Sequence, residues 1–277
     1  MRPAQVLRRA AGYLERHGVE SPVPTAEALL ANVLAVPRVE LYTREHGLNS
    51  VEARLFGRAL CLRCTGTPLQ HITGEVGFRH LTLAVRAGVF VPRPETEVLV
   101  AHCLTAIEDI SEPVVVDVGT GTGAIALAIA DEHPGARVMA TDMAREAVEL
   151  ATENADRLGL AVSVVQGDLL DPLADEFRGA VDLVASNPPY VEPRELADLP
   201  AEVRADPPLA LVGGIDVYRR LFATARRWIR AGGSVAVEVG QTQGAAVSAA
   251  AVSAGFDQVR VLPDLLARDR VVVGRRS

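Results

Sequence analysis

The sequence contains no lysine: all 28 of its basic residues are arginines, an absence we ascribe to genome composition. Acidic residues number 35, for a formal net charge of -7, so a broad basic face for DNA or RNA is lacking and direct nucleic acid binding is not expected. Cysteine is scarce as well. Cys61, Cys64 and Cys103 are too few, and odd in number, for a disulfide framework, and they suit a reducing compartment. No stretch reaches the ~18 apolar residues of a membrane span. The charged start, Met1 to Arg9, is not followed by the ~7–15 apolar residues of a signal peptide. The expectation is a cytoplasmic monomer without a membrane partner.

What is present is a foldable chain: 277 residues, 49% hydrophobic and 23% charged, enough for one large α/β domain and a smaller appendage. Residues 1–66 show apolar residues at helical spacing, Val6, Leu7, Ala10 and Leu14, then Leu29, Leu30, Val33 and Leu34. Pro24, Thr25 and Glu27 suit the opening of the second helix, and a further helix runs from Ser50 to near Gly66. Residues 67–92 change period. His71-Ile72-Thr73 and His80 to Val85 read as two short strands around Gly74 and Gly77, a β-hairpin linker.

Residues 93–277 alternate apolar runs, at 114–118, 137–141, 162–165, 181–185 and 234–239, with helical stretches, the pattern of a doubly wound, Rossmann-like parallel sheet. The tail adds strands at 259–262 and 270–273 joined by a link too short for a parallel crossover, so one of them is antiparallel. No internal repeat or low-complexity tract is visible.

The first run leads into Asp117-Val118-Gly119-Thr120-Gly121-Thr122-Gly123-Ala124-Ile125-Ala126: strand, glycine turn, helix start. Glycines there let the backbone approach a ligand, which marks a nucleotide-type cofactor; the run equally satisfies a dinucleotide fingerprint. About 20 residues on, Asp142 ends the second strand, where a carboxylate holds ribose hydroxyls or caps the next helix. Gln166-Gly167-Asp168-Leu169 ends the third; Asp168 is a candidate acceptor for an adenine amino group and Leu169 a candidate packing surface for the ring.

After the fourth run comes Ser186-Asn187-Pro188-Pro189-Tyr190. Two prolines fix φ and remove two backbone donors, leaving a rigid turn that presents acceptors. An amino group with two hydrogens can donate one to the Asn187 side-chain oxygen and one to the Pro188 carbonyl. Tyr190 offers a flat face to a planar amide or base. Asn-Pro-Pro is also an ordinary turn former, but the flanking asparagine and tyrosine at a strand end favour a site.

Together with Gly66 to Gly74, Val91-Pro92-Arg93-Pro94-Glu95-Thr96-Glu97 and Leu209-Ala210-Leu211-Val212-Gly213-Gly214, these pieces resemble the glutamine-N5 methyltransferases of class-1 peptide chain release factors, over nearly the whole chain. The 92–97 element separates that family from amino-purine methyltransferases. The resemblance implies S-adenosylmethionine over Gly119, Thr120, Gly121, Thr122 and Gly123, with its ribose on Asp142 and its adenine near Asp168 and Leu169. It places the substrate glutamine, that of a Gly-Gly-Gln sequence, on Asn187, Pro188, Pro189 and Tyr190, with Asn187 also close to the cofactor. Catalysis falls to Asn187, Pro188 and Tyr190; residues 1–66 dock the substrate, and 93–277 form the methyltransferase domain. The chain departs from the family where Asp206-Pro207-Pro208 replaces the usual Glu-Pro, and where a glycine common after Asp216 is missing.

Alternative acceptors are a ribosomal-protein glutamine and, against the charge balance, the adenine N6 or cytosine N4 of DNA. A cofactor-binding module without activity would be expected to lose Asn187 or Tyr190. Cys61 and Cys64 have metal-like spacing but no second pair, and read as buried thiols; the six histidines, His17, His46, His71, His80, His102 and His133, form no ligand or triad pattern. No metal is expected.

Overall fold

The computed structural model describes residues 3–199 and 201–277; Met1 and Arg2, the start of the charged N-terminal stretch, and Pro200 lie outside the described residues. The chain divides into two compact units, the first comprising residues up to Glu75 with 201–205, the second the remainder.

The first unit holds α1 (Pro3–Arg16), α2 (Pro22–Leu34), α3 (Glu40–Thr43), α4 (Ser50–Cys64) and α5 (Leu69–Thr73). Two prolines sit in the first turn of α2, where missing N–H groups cost nothing. At the start of α4, the Asn49 side chain accepts from the Val51 and Glu52 N–H groups while Glu52 accepts from the Asn49 N–H, a reciprocal cap. The apolar stripes of these helices meet in one core, with Leu14, Leu30 and Leu41 fully enclosed.

Two expectations fail here. His71-Ile72-Thr73 is not a strand but the end of α5, which starts after Pro68 and is closed by Gly74 at φ 77°. Leu69 and Ile72 pack on the helical core, and that burial overrides the strand preference of Ile and Thr. Cys61 and Cys64 are not buried thiols: the buried stripe of α4 is Phe56, Ala59 and Arg63, which leaves Cys61 exposed and Cys64 half-buried.

The hairpin β1 (Glu75–Phe78) and β2 (Leu81–Ala84), which belongs to the second unit from Val76 onward, is displaced from the expected 71–73 strand. There follow α6 (Thr96–Ile107), β3 (Val114–Val118), α7 (Ala124–Glu132), β4 (Arg137–Asp142), α8 (Arg145–Leu158), β5 (Val162–Gln166) and β6 (Val181–Ser186). After the short helices α9 (Ala201–Arg204), grouped with the first unit, and α10 (Pro208–Leu211) come α11 (Gly214–Trp228), β7 (Ile229–Glu238), α12 (Gly244–Ser253), β8 (Asp257–Pro263) and β9 (Asp269–Arg275). The sheet order is β5-β4-β3-β6-β7-β9-β8. β3 to β7 pair in parallel, and β9 runs antiparallel to both β7 and β8. This is the Rossmann-like methyltransferase sheet with its antiparallel C-terminal strand.

Alternation along the buried strands supplies both faces. Val115 and Leu183 pack with Leu99, Ile107, Ile125 and Leu127 from α6 and α7. Val116, Val184 and Val235 pack on the other face with Tyr218, Phe222 and Trp228 of α11. Strand order reverses between β3 and β6, whose last residues Val118 and Ser186 are directly paired, so the loops that follow them open side by side. Such a switch point is where open α/β sheets bind ligands. No helix among the described residues is long and apolar enough to cross a membrane.

Candidate active site

The glycine turn is built by its φ angles: Gly119, Gly121 and Gly123 stand at 73°, 57° and 85°. A side chain at Gly119 or Gly121 would meet open space, whereas one at Gly123 would lie 2.9 Å from Leu127 Cδ1. The first two glycines therefore leave backbone exposed to a ligand, and the third seats α7 against the sheet. The Gly119 and Thr120 N–H groups donate to the Thr141 carbonyl at 2.8 and 3.1 Å, tying the turn to β4.

Asp142 is the second tie. One carboxylate oxygen accepts from the Gly121 N–H and the other from the Ala144 N–H, each at 2.9 Å. Burial raises its pKa, opposed by those backbone donors. It holds the turn and caps the approach to α8 while keeping lone pairs for ribose hydroxyls. Asp117, within the motif but not singled out from sequence, is fully enclosed, and burial pushes its carboxyl up to about 7. One oxygen accepts from the Thr120 hydroxyl (2.6 Å) and the Ala126 N–H (3.2 Å); the other is buried with no partner among the described residues.

At the end of β5 the assignment divides. Leu169 adopts φ 51°, unusual for a non-glycine residue, and its carbonyl accepts from the Thr141 hydroxyl at 2.6 Å. Asp168 is paired through Oδ2 with Arg220, at 2.5 Å, so Oδ1 is the oxygen that would serve an adenine amino group.

The acceptor turn is held from behind. Ser186 donates to the Val118 carbonyl (2.7 Å), and Gln243 donates to the Tyr190 carbonyl (2.9 Å). Val191 and Val212 form an isolated bridge in which the Val191 N–H meets the Leu211 carbonyl and the Gly213 N–H the Val191 carbonyl. Gly213 is needed for space, since a side chain there would strike the Pro189 carbonyl and approach Val217 Cγ2 to 2.6 Å. Tyr190 is half-buried, and burial with the nearby Glu238 pushes its phenol up to about 12, so it stays neutral.

Asn187 donates through Nδ2 to Thr96 Oγ1 at 3.1 Å, and the Thr96 hydroxyl donates to Glu238 Oε2 at 2.7 Å. The 92–97 element is fastened separately: Asp206, the residue that departs from the family pattern, accepts from the Arg93 guanidinium at 2.5 Å and from the Val91 N–H at 3.3 Å. Thr96, Glu238, Asp206 and Asp117 were not chosen from sequence. Thr96 and Asp117 lie inside motifs that were, whereas nothing local marks Glu238.

The arrangement fits S-adenosylmethionine: an open glycine cradle for its methionine end and the Asp142 carboxylate for its ribose. A group of three or more metal-ligating side chains is absent among the described residues.

Two family models match the chain. The methyltransferase small domain family matches residues 81–264, and the PrmC N-terminal domain family matches residues 5–74. A release factor glutamine methyltransferase of Moorella thermoacetica is 41% identical, covering 98% of both chains, and one of Deinococcus radiodurans is 40% identical, covering 100% of this chain and 99% of its own. Among solved structures, a T. thermophilus 16S rRNA N2 G1207 methyltransferase in complex with AdoMet and guanosine superposes with TM-score 0.55 at 19% identity, over 73% of this chain and 50% of its own.

Proposed function

Because the chain belongs to the release factor glutamine methyltransferase family, we propose that it methylates the side-chain amide nitrogen, N5, of the Gly-Gly-Gln glutamine in class-1 peptide chain release factors. The observation that carries this reading is the Asn187 amide: its nitrogen is committed to Thr96, which leaves its oxygen as an acceptor beside the proline-fixed turn.

S-adenosylmethionine, when bound, supplies a methyl group already activated by its sulfonium. The chain's residues act on the amide. Its nitrogen is a poor nucleophile because its lone pair is delocalised into the carbonyl. Asn187 Oδ1 and the Pro188 carbonyl each accept one N–H, which fixes the plane of the amide and favours the positive charge that develops on nitrogen. Pro189 keeps the turn rigid, and Tyr190, held neutral, gives the amide a flat apolar face. Orienting the nitrogen in this way is worth several kcal/mol. The methylated nitrogen is strongly acidic until it loses a proton, so water suffices as the base. Gly119 to Gly123 and Asp142 serve cofactor binding, as do Leu169 and the Arg220-paired Asp168.

The helical residues 1–66, which carry none of these groups, serve in this reading to dock the protein substrate, with 67–92 as linker. The enzyme works in the cytoplasm as a monomer and needs no direct nucleic acid contact. The test incubates the full chain with labelled S-adenosylmethionine and, in separate reactions, intact release factor, ribosomal protein or DNA, and then locates the label by mass spectrometry. Label on the Gly-Gly-Gln glutamine is expected. Label on ribosomal protein or DNA alone would overturn the substrate assignment.

A further inference from the structure

We infer that Thr96 and Glu238 form a positioning relay that sets which face of the Asn187 amide is offered to the substrate. The inference rests on the acceptor role of Asn187 given above.

Three segments meet at the relay: the first residue of α6, the last residue of β7 and the loop after β6. Thr96 and Glu238 are 3% and 1% exposed, so neither is satisfied by bulk water. A hydroxyl has one proton to give. When Glu238 is ionised its carboxylate only accepts, so the Thr96 proton, with its oxygen 2.7 Å from Glu238 Oε2, is then committed to it. The hydroxyl oxygen is then left to accept, and the group 3.1 Å away on Asn187 must be the donor NH2. The direction of the amide thus follows from proton counting along the chain, independently of the similar outlines of its oxygen and nitrogen.

Burial, with Glu95, raises the Glu238 carboxyl to about 7 against the opposing Thr96 hydroxyl and Arg270 on β9, so the relay is fully set above that pH. The Tyr190 and Tyr218 phenols also feel its charge, and the Tyr218 hydroxyl donates to the Glu238 backbone carbonyl at 2.8 Å, which holds the strand end in place. Without the relay, Asn187 is free to flip. In the flipped state its NH2 faces the substrate NH2, donor against donor, and the acceptor that favours charge on nitrogen is lost.

The test compares Thr96→Val, which keeps the shape and removes the hydroxyl, with Thr96→Ser, which restores it, and Asn187→Ala, all in the full chain. Asn187 is one of only four asparagines, so its side-chain amide signals are assignable in a nitrogen-15 spectrum of the protein without substrate. For Thr96→Val we expect those signals to shift and exchange faster, kcat on intact release factor to fall ~10-fold or more, and KM and S-adenosylmethionine affinity by calorimetry to change less than ~2-fold. Thr96→Ser should recover within ~3-fold of the parent, and Thr96→Val added to Asn187→Ala should cost nothing further, because the relay acts only through Asn187.

Parental kcat and unshifted amide signals in a folded Thr96→Val protein would overturn the relay. So would equal losses of melting temperature, cofactor affinity and kcat that Thr96→Ser did not recover. Failure of the parent itself to methylate release factor would instead refute the proposed function, and the amide signals would still decide the relay.

Discussion

Gly213 offers a direct test of how tightly the acceptor turn is held. Its φ of -165° lies outside the left-handed region that favours glycine, so what Gly213→Ala tests is space. The new methyl would lie 2.6 Å from Val217 Cγ2 and closer still to the Pro189 carbonyl oxygen, whereas ordinary contact begins near 3.4 Å. Val217 can rotate, but the carbonyl belongs to a turn with two prolines and must move by about 1 Å, a displacement that costs ~10²-fold when it misplaces a reacting group. Overpacking adds a stability loss of about 1–3 kcal/mol. We expect kcat on intact release factor to fall ~10²-fold, with cofactor affinity by calorimetry nearly unchanged, because the glycine turn belongs to a different strand end. Adding Val217→Ala should recover stability but not kcat. A folded Gly213→Ala enzyme with parental kcat, or full recovery of kcat by Val217→Ala, would refute the argument that Gly213 supports Pro189.

Two further outcomes follow from buried carboxyls. Asp117 is raised from 3.8 to about 7 by burial, so the folded chain holds a proton that the unfolded chain releases; its contribution is present in full below pH ~4 and is lost as pH rises through ~7. At ~1.4 kcal/mol per pH unit that is ~4 kcal/mol at most, and Asp117→Asn, which keeps an acceptor for Thr120 and Ala126, should flatten this share of the pH dependence in thermal unfolding between pH ~4 and ~7. An unchanged slope would contradict the assignment. Asp206→Ala should destabilise the fold by about 2–3 kcal/mol in denaturant titrations, since it strips Arg93 and the Val91 N–H of a fully buried partner. Asp206→Glu, the residue usual in the family, should be tolerated.

What could be read from the residues alone was local in sequence. Asn187 to Tyr190 read as an acceptor turn because proline acts on its own peptide unit, and Gly119 to Gly123 read as a cofactor turn because alternate glycines after a buried strand serve little else. The parallel sheet was legible for a related reason: strands buried on both faces are continuous apolar runs. The first strand of the hairpin was misplaced because Ile72 and Thr73 favour strand only in the absence of packing, and the helical core that takes in Ile72 is assembled from α1, α2 and α4. Cys61 misled similarly. A thiol is buried by the stripe it falls on, and α4 turns a different one inward.

The unread part of the site is the part made by long-range pairing. Thr96 and Glu238 are separated by 142 residues, and neither position carries a local signature of an interaction that exists only once α6 lies across the end of β7. Asp206 and Arg93 stand 113 residues apart in the same way. The ion pair of Asp168, read as a candidate adenine acceptor, was likewise hidden because its partner, Arg220, comes 52 residues later on α11. A motif therefore nominates the atoms that would meet the substrate, and the fold decides which way those atoms point. Asn187 illustrates the division: its place in the Asn-Pro-Pro-Tyr turn marks it as a candidate amide ligand, but in the relay proposed above it is a carboxylate on another strand, acting through a hydroxyl on another helix, that makes its oxygen the end that faces out.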